Sequence, residues 1–256
     1  LDATNAIHPL LSIITNIGYD HTEFLGDKIT SIANEKAGII KKNTPVLIGE
    51  KNQETDNVFI EKARRESSKI FFTEDFLSNK FQVSLKTNYQ KKNESTAYAA
   101  IQILFENDIT IEIFRKGILN FSKNSSLRGR WEKVSNKPLI VADIAHNEEG
   151  FKEVILEIKR IKSQKKIFVL GFVKGKPLEK IIKLFPKDGI YFFSSPKISR
   201  AVSLISLDLI LKNTDINYQI FESVQEAYCR ALNIATKEDF IFVGGSNFTV
   251  SEILNT

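Results

Sequence analysis

Three groups of residues have the types and spacing to do chemistry. The first follows the apolar run Leu10 to Ile14, where Thr15, Asn16, Asp20 and His21 gather before an amphipathic segment carrying Lys36. The second is Gly129-Arg130-Trp131-Glu132, followed after an apolar stretch by Asp143-Ile144-Ala145-His146-Asn147. The third is Gly244-Gly245-Ser246-Asn247, between a further apolar stretch and a helical pattern. An acid at the end of a buried strand commonly accepts ribose hydroxyls. A guanidinium beside it suits the charge developing on a transferring phosphoryl group. The Gly-Gly-Ser-Asn turn reads equally as an anion nest and as a tight strand-to-helix turn. Asn16 could hold backbone groups at its crest. No Ser-His-Asp set and no metal-type Cys/His spacing is present, and Cys229 reads as a core residue of an amphipathic helix.

The elements that must position these groups alternate in type. Leu10 to Ile14 and Pro45 to Gly49 read as strands around a helix at Ile29 to Ala37, where Ile29, Ile32, Ala33 and Lys36 share one face. Lys36 is thereby turned inward, where an amine must lose its proton or find a partner, and Gly38 reads as the C-cap. Glu54 to Ser67 reads as a helix, Lys69 to Phe72 as a strand, and Asp75 to Asn88 as an antiparallel ribbon from the alternation of Phe81, Val83 and Leu85. Asn93 to Phe105 reads as a helix with Asn93 as N-cap, and Ile109 to Phe121 as another with Ile113 and Ile118 inward. The polar stretch Ser122 to Leu127 is the linker, dividing the chain into residues 1–124 and 125–256.

Beyond it, strands are expected at Pro138 to Asp143, Lys166 to Gly171, Ile190 to Ser194 and Phe240 to Gly244. Helices are expected at Glu148 to Ile161, Leu178 to Leu184, Ser199 to Leu211 and Ser223 to Thr236. These strands are continuously apolar, so both faces of their sheet must be covered. The fold class is α/β, with a mostly parallel, Rossmann-like second domain.

Length and composition narrow the classes. With 256 residues, 42% hydrophobic and 26% charged, the chain can bury a large core. No apolar run reaches the length that spans a bilayer, no secretory signal pattern is present, and one cysteine permits no internal disulfide, so the cytoplasm is the expected compartment. The net charge of +5 is scattered rather than gathered in a basic stripe, which argues against nucleic acid and suits a small anionic substrate. There is no Met among the residues and the chain opens within a motif, so the C-terminal part of a longer protein is expected. No Gly-x-x-x-x-Gly-Lys-Ser/Thr loop occurs. The nearest string, Gly171 to Pro177, lacks its spacing and its hydroxyl.

LDATN at residues 1–5, ITNIGYDH at 14–21, EKAGIIK at 35–41, GRWE at 129–132 and DIAHNEEG at 143–150 together resemble the folylpolyglutamate synthase/dihydrofolate synthase family of the Mur-ligase group. The resemblance implies the C-terminal part of a P-loop-type central domain followed by a Rossmann-like glutamate-ligase domain. It implies an enzyme that uses ATP and Mg²⁺ to join L-glutamate to dihydropteroate or a folate through an acyl phosphate, working as a monomer with neither nucleic acid nor membrane as partner. By resemblance, Leu1, Asp2 and Ala3 line the pterin-substrate site and His21 ligates Mg²⁺. Lys36 is carbamylated, Asn93 contacts adenine, Arg130 and Asp143 serve the nucleotide, and His146 acts beside them with Asn147. Ile144 and Glu148 stand where the family usually has Gly and Pro, and Trp131 where Phe is common. Without a phosphate-binding loop, this chain alone is expected to show no turnover. Two rivals are a cell-wall Mur ligase, which LDATN argues against, and a non-catalytic binding remnant.

Overall fold

A computed structural model describes residues 3–18, 28–77, 81–85, 87–106 and 108–255. The chain divides into two compact units, Leu1–Ser126 and Leu127–Thr256.

In the first unit three short strands, β1 (Ser12–Ile14), β2 (Val46–Ile48) and β3 (Ile70–Phe72), lie parallel in the order β1-β2-β3. Ser12, Val46 and Ile70 are in register. Helices α1 (Ile29–Ala37) and α2 (Asp56–Arg65) cover one face, where Ile14, Ile48, Ala33, Ala37, Phe59 and Ala63 pack together. Helix α3 (Asn88–Phe105) covers the other through Ala99 and Ala100 against Leu47. This is the two-sided burial that parallel strands require. Gly49, just past β2, lies so close to β1 that a Cβ there would stand 2.2 Å from the Thr15 carbonyl oxygen. Helices α4 (Ile111–Leu119) and α5 (Phe121–Ser125) complete the unit.

The second unit is built on a six-stranded sheet of order β4-β5-β9-β6-β7-β8. Its strands are β4 (Glu132–Asn136), β5 (Leu139–Asp143), β6 (Lys166–Gly171), β7 (Ile190–Ser194), β8 (Asn217–Phe221) and β9 (Phe240–Gly244). All pairings are parallel except β4 with β5. Helices α6 (Glu148–Arg160), α7 (Leu178–Ile182) and α8 (Leu204–Leu211) pack on one face with Phe240, Phe242, Phe168 and Tyr191. Helices α9 (Val224–Ile234) and α10 (Asn247–Leu254) pack on the other with Ile241, Val243 and Val169. Successive residues of one apolar strand thus feed two separate cores, the period-two geometry of a strand. Phe168 and Phe185 stack on Tyr191 with centroids 4.6 and 5.2 Å away.

Several sequence expectations give way. Residues 81–85 are in no strand, and the expected ribbon is replaced at its start by a 3₁₀ turn, Thr73–Phe76; the alternation of Phe81 and Val83 reflects packing of the Phe81 ring on Tyr98, 4.5 Å away, not a ladder. Helix α3 begins a turn earlier than expected, with Thr87 at its N-cap, so Asn93 is an exposed second-turn residue and not a cap. In α4 the buried residue is Phe114, while Ile113 is 56% exposed. Part of the expected linker is the helix α5. Residues 199–203 precede α8, whose N-cap is Ser203, instead of forming its first turn. Gly38 caps α1 with φ −58°, so its freedom to go left-handed is not used. Cys229 is exposed rather than core. Strands β4 and β8 were not foreseen.

Candidate nucleotide and acceptor site

The sequence-selected groups of the second unit converge at the C-terminal edge of its sheet. Sheet order places β9 between β5 and β6, and the helices that follow β5 and β9 pack on opposite faces, the arrangement beside which ligands collect in open α/β sheets. Asp143 ends β5 and is 3% exposed. Its Oδ2 accepts the backbone N–H of Trp131 at 2.8 Å and its Oδ1 that of Ala145 at 2.9 Å. The carboxylate that was expected to meet ribose also holds two backbone groups, and it knits the two motifs into one structure.

The Gly-Arg-Trp-Glu turn is tightly specified. Gly129 has φ 70° and Trp131 φ 52°, left-handed values that Trp adopts only where its surroundings enforce them. Gly129 donates its N–H to Glu132 Oε2 at 2.7 Å, while its carbonyl accepts from Ile144 at 2.9 Å. A Cβ on Gly129 would meet Ile144 Cγ2 at 2.7 Å and Val250 Cγ1 at 2.9 Å. Arg130 stands exposed at the crest between these two residues. Turn and β5 loop therefore present Arg130 and the half-buried His146 from one framework. The Nδ1 of His146 lies 3.1 Å from the Ile144 carbonyl, which orients the ring. Asn147 caps α6, accepting the Gly150 N–H at 2.8 Å. In the first turn of that helix Glu148 and Glu149 both pair with Lys152, at 3.0 and 2.8 Å. Hydrogen bonds from Lys152 to Glu149 and Glu148 outweigh its partial burial and hold the ammonium above the ordinary lysine range.

The turn after β9 is packed, not open. Gly245 has φ 97°, and a Cβ there would stand 2.6 Å from the Gly171 carbonyl oxygen. Ser246 caps α10 by accepting the Thr249 N–H at 3.1 Å, and Thr249 donates its hydroxyl to Gly171 at 2.8 Å. Both side chains are buried. These bonds fix the edge beside Asp143.

In the first unit, Lys36 occupies the last turn of α1 and is half-buried, less enclosed than its periodicity implied. Asn16 is exposed just past β1. In the Lys-Lys-Asn-Glu-Ser stretch the buried residue is Glu94, 1% exposed, which accepts the N–H groups of Ser84 at 2.8 Å and Leu85 at 2.9 Å. Ala3 opens a 3₁₀ turn, Ala3–Ala6. Leu1, Asp2 and His21 lie outside the described residues. Among the described residues no three His, Cys, Asp or Glu side chains gather to hold a metal ion, and no helix is long and apolar enough to cross a membrane.

A cavity of about 490 Å³ lies elsewhere, at the opposite edge of the second sheet, between the end of α7, the end of α8 and the segment entering β8. Ile182, Phe185, Ile210 and Ile216 line it, with Lys187 and Asp215 paired at 3.1 Å at its rim. It shares no residue with the motifs above.

Residues 129–247 match the Mur ligase, glutamate ligase domain. The full chain is 32% identical to the dihydrofolate synthase/folylpolyglutamate synthase of Buchnera aphidicola from Acyrthosiphon pisum, of which it covers 64%. Over its whole length this chain is similar to dihydrofolate synthase/folylpolyglutamate synthases. The fold agrees. The E. coli FolC in complex with DHPP and ADP superposes with a TM-score of 0.83 at 24% identity, over the whole of this chain and 63% of that one. A bifunctional folylpolyglutamate synthase/dihydrofolate synthase with Mn, AMPPNP and L-glutamate bound gives 0.81 at 22% identity, again over all of this chain and 63% of that one. This chain thus spans a little under two thirds of the length of these relatives. The Gly-Arg-Trp-Glu turn opens the matched domain, and the β9 turn closes it.

Proposed function

We propose that this chain is part of an ATP-dependent ligase that joins L-glutamate to dihydropteroate or a folate through an acyl phosphate. The observation that carries the reading is the single framework of Arg130, Asp143 and His146, held by the two bonds of Asp143 inside a glutamate-ligase domain. The relatives with ADP, AMPPNP, L-glutamate and DHPP bound support it.

ATP, when bound, supplies the phosphoryl group that activates the acceptor carboxylate. The residues of this chain have narrower tasks. Arg130, exposed on a turn whose backbone is locked on both sides, offers a preorganised cation to phosphoryl oxygens. Asp143 acts through position: it holds the Arg130 turn against the β5 loop. A carboxylate has about four lone-pair sites, so acceptor capacity toward a ribose hydroxyl persists beside its two backbone bonds. His146, with one ring nitrogen at the Ile144 carbonyl, presents the other to the reacting groups. Asn93 is exposed and free of a capping task, consistent with contact to adenine. Lys36 is accessible enough at the end of α1 to capture CO₂ as a carbamate. Leu1, Asp2 and Ala3 line the pterin pocket. The described residues supply no donor set for Mg²⁺; that task falls to His21 and to groups beyond them, and no step here is routed through the ion. We place the protein in the cytoplasm, as a monomer.

The test is glutamate incorporation by the product of the natural gene. ATP-dependent transfer of labelled L-glutamate to dihydropteroate, reduced at least 100-fold by Arg130→Ala, is the expected result. Transfer to a UDP-linked muramyl substrate instead, or no nucleotide-dependent transfer to any acceptor, overturns it. This 256-residue chain by itself is expected to show no turnover.

A further inference from the structure

The loops leaving the C-terminal ends of β6 and β7 are tied into one platform. Val173 and Ala201 form an antiparallel bridge. Lys174 donates its backbone N–H to the Arg200 carbonyl at 2.9 Å, and Val202 donates to Phe172 at 3.0 Å. Val173, Ala201 and Val202 are buried. The Arg200 guanidinium lies 5.5 Å from the centre of the Phe248 ring at the start of α10. Glu252 of the same helix accepts the Lys197 N–H at 2.6 Å. The loops after β6, β7 and β9 therefore brace one another.

The platform carries charge of one sign. Residues 172–177 and 195–203 contain Lys174, Lys176, Lys197 and Arg200 and neither Asp nor Glu. Lys174, Lys197 and Arg200 are exposed. Glu252 is bonded to the Lys197 backbone, and Glu179 follows Lys176 by three residues in the first turn of α7. The platform is held by backbone bonds and buried Val and Ala, so its cations are not what makes it fold. Gathering like charges on a surface costs stability, and they are well placed to meet an anion. Strands lie roughly 4.8 Å apart, which sets the ends of β6 and β7 about 10 and 14 Å from Asp143 along the edge.

We propose that this platform binds the carboxylates of an oligo-γ-glutamyl chain on the acceptor, and so reads the tail already made while the β5 loop serves the reaction. The inference rests on the glutamate-adding function proposed above. Each residue added by that reaction extends the acceptor by one further carboxylate. The acceptor thus becomes a polyanion, and the cations on the loops after β6 and β7, further along the edge from Asp143, match it in charge. The β5 loop could not take this part, because Glu148 and Glu149 open its helix.

The experiment is calorimetric titration of this chain with tri-γ-L-glutamate, with L-glutamate and with a short single-stranded oligodeoxynucleotide. Tri-γ-glutamate should bind more tightly than L-glutamate and weaken with salt. The Lys174→Gln/Arg200→Gln variant, confirmed folded by its melting curve, should lose about tenfold in affinity. Lys187→Gln, at the opposite edge, should lose nothing. Absence of tri-γ-glutamate binding, equal binding by the double variant, or tighter binding of the oligodeoxynucleotide through the same residues overturns the proposal. Its failure is separable from failure of the proposed reaction. A natural gene product that adds glutamate to dihydropteroate while this chain ignores tri-γ-glutamate loses only the platform, and one that adds no glutamate loses the reaction.

Discussion

Asp143 holds Trp131 by its backbone N–H at 2.8 Å, across twelve residues of sequence, while Trp131 sits at φ 52°. The carboxylate thereby stabilises a conformation that Trp disfavours, and the benefit passes to Arg130, one residue earlier. Replacing Asp143 with Ala leaves the N–H groups of Trp131 and Ala145 without their acceptors in a buried place. The cost should be about 2–4 kcal/mol of unfolding free energy by urea titration. Asp143→Asn keeps one acceptor and should cost less than Ala.

Two glycines give a matched pair. Gly49→Ala sets a Cβ 2.2 Å from the Thr15 carbonyl, a backbone atom that cannot move aside. It should destabilise the first unit by about 3 kcal/mol or more. Gly117 lies inside α4, and a Cβ there meets nothing within 4 Å, so Gly117→Ala should stabilise by about 0.5–1 kcal/mol. Thermal melts of both variants check the contrast, and equal effects would show that close approach at Gly49 is not what holds β1 to β2.

Asp239 provides a pH signature. Burial pushes its carboxyl upward, but hydrogen bonds from the Thr236 N–H and hydroxyl and from the Lys165 N–H, at 2.8, 3.0 and 2.9 Å, outweigh this and leave it below the ordinary range. A lowered folded-state pKa means its contribution is complete above the unfolded carboxylate value of about 3.9 and is lost as pH falls through the folded value. Stability measured from pH 6 down to about pH 2.5 should therefore fall less steeply in Asp239→Asn than in the natural sequence.

Lys36 can be tested directly for its proposed modification. Protein equilibrated with ¹³C-bicarbonate should show a carbamate carbon resonance that vanishes in Lys36→Arg. A resonance unchanged by that substitution, or none in the natural gene product, removes the carbamate from the proposal.

Where one rule governed a segment, the sequence was legible. Ile29–Ala37 formed with the bounds its periodicity implied, and β6, β7 and β9 formed where continuous apolar runs demanded burial on both faces. Strand β8 escaped notice because Asn217 and Gln219 alternate with half-buried residues at the edge of the sheet, where one side needs no apolar cover. The ribbon expected around Phe81 to Leu85 failed for the opposite reason. Its alternation was real, but the polar partner is Glu94, a buried acid that takes the N–H groups a neighbouring strand would have needed. At the candidate site the two motifs could be read from the sequence, but the bonds that tie one to the other could not. Both oxygens of Asp143 bond backbone, a holding task imposed by the left-handed turn at Trp131. Gly129, directly before Arg130, was the available clue, since glycine is the usual choice where φ must be positive.

Strand β9 lies between β5 and β6 although it is made about seventy residues after the latter. During synthesis, therefore, β5 and β6 cannot complete their ladders with each other's neighbourhood until residue 244 has left the ribosome. The nascent second unit must carry an open slot with apolar walls for most of its translation. The same strand that brings Gly245 against Gly171 is the keystone by which the sheet closes, and until it arrives the Asp143 edge has no neighbour on that side.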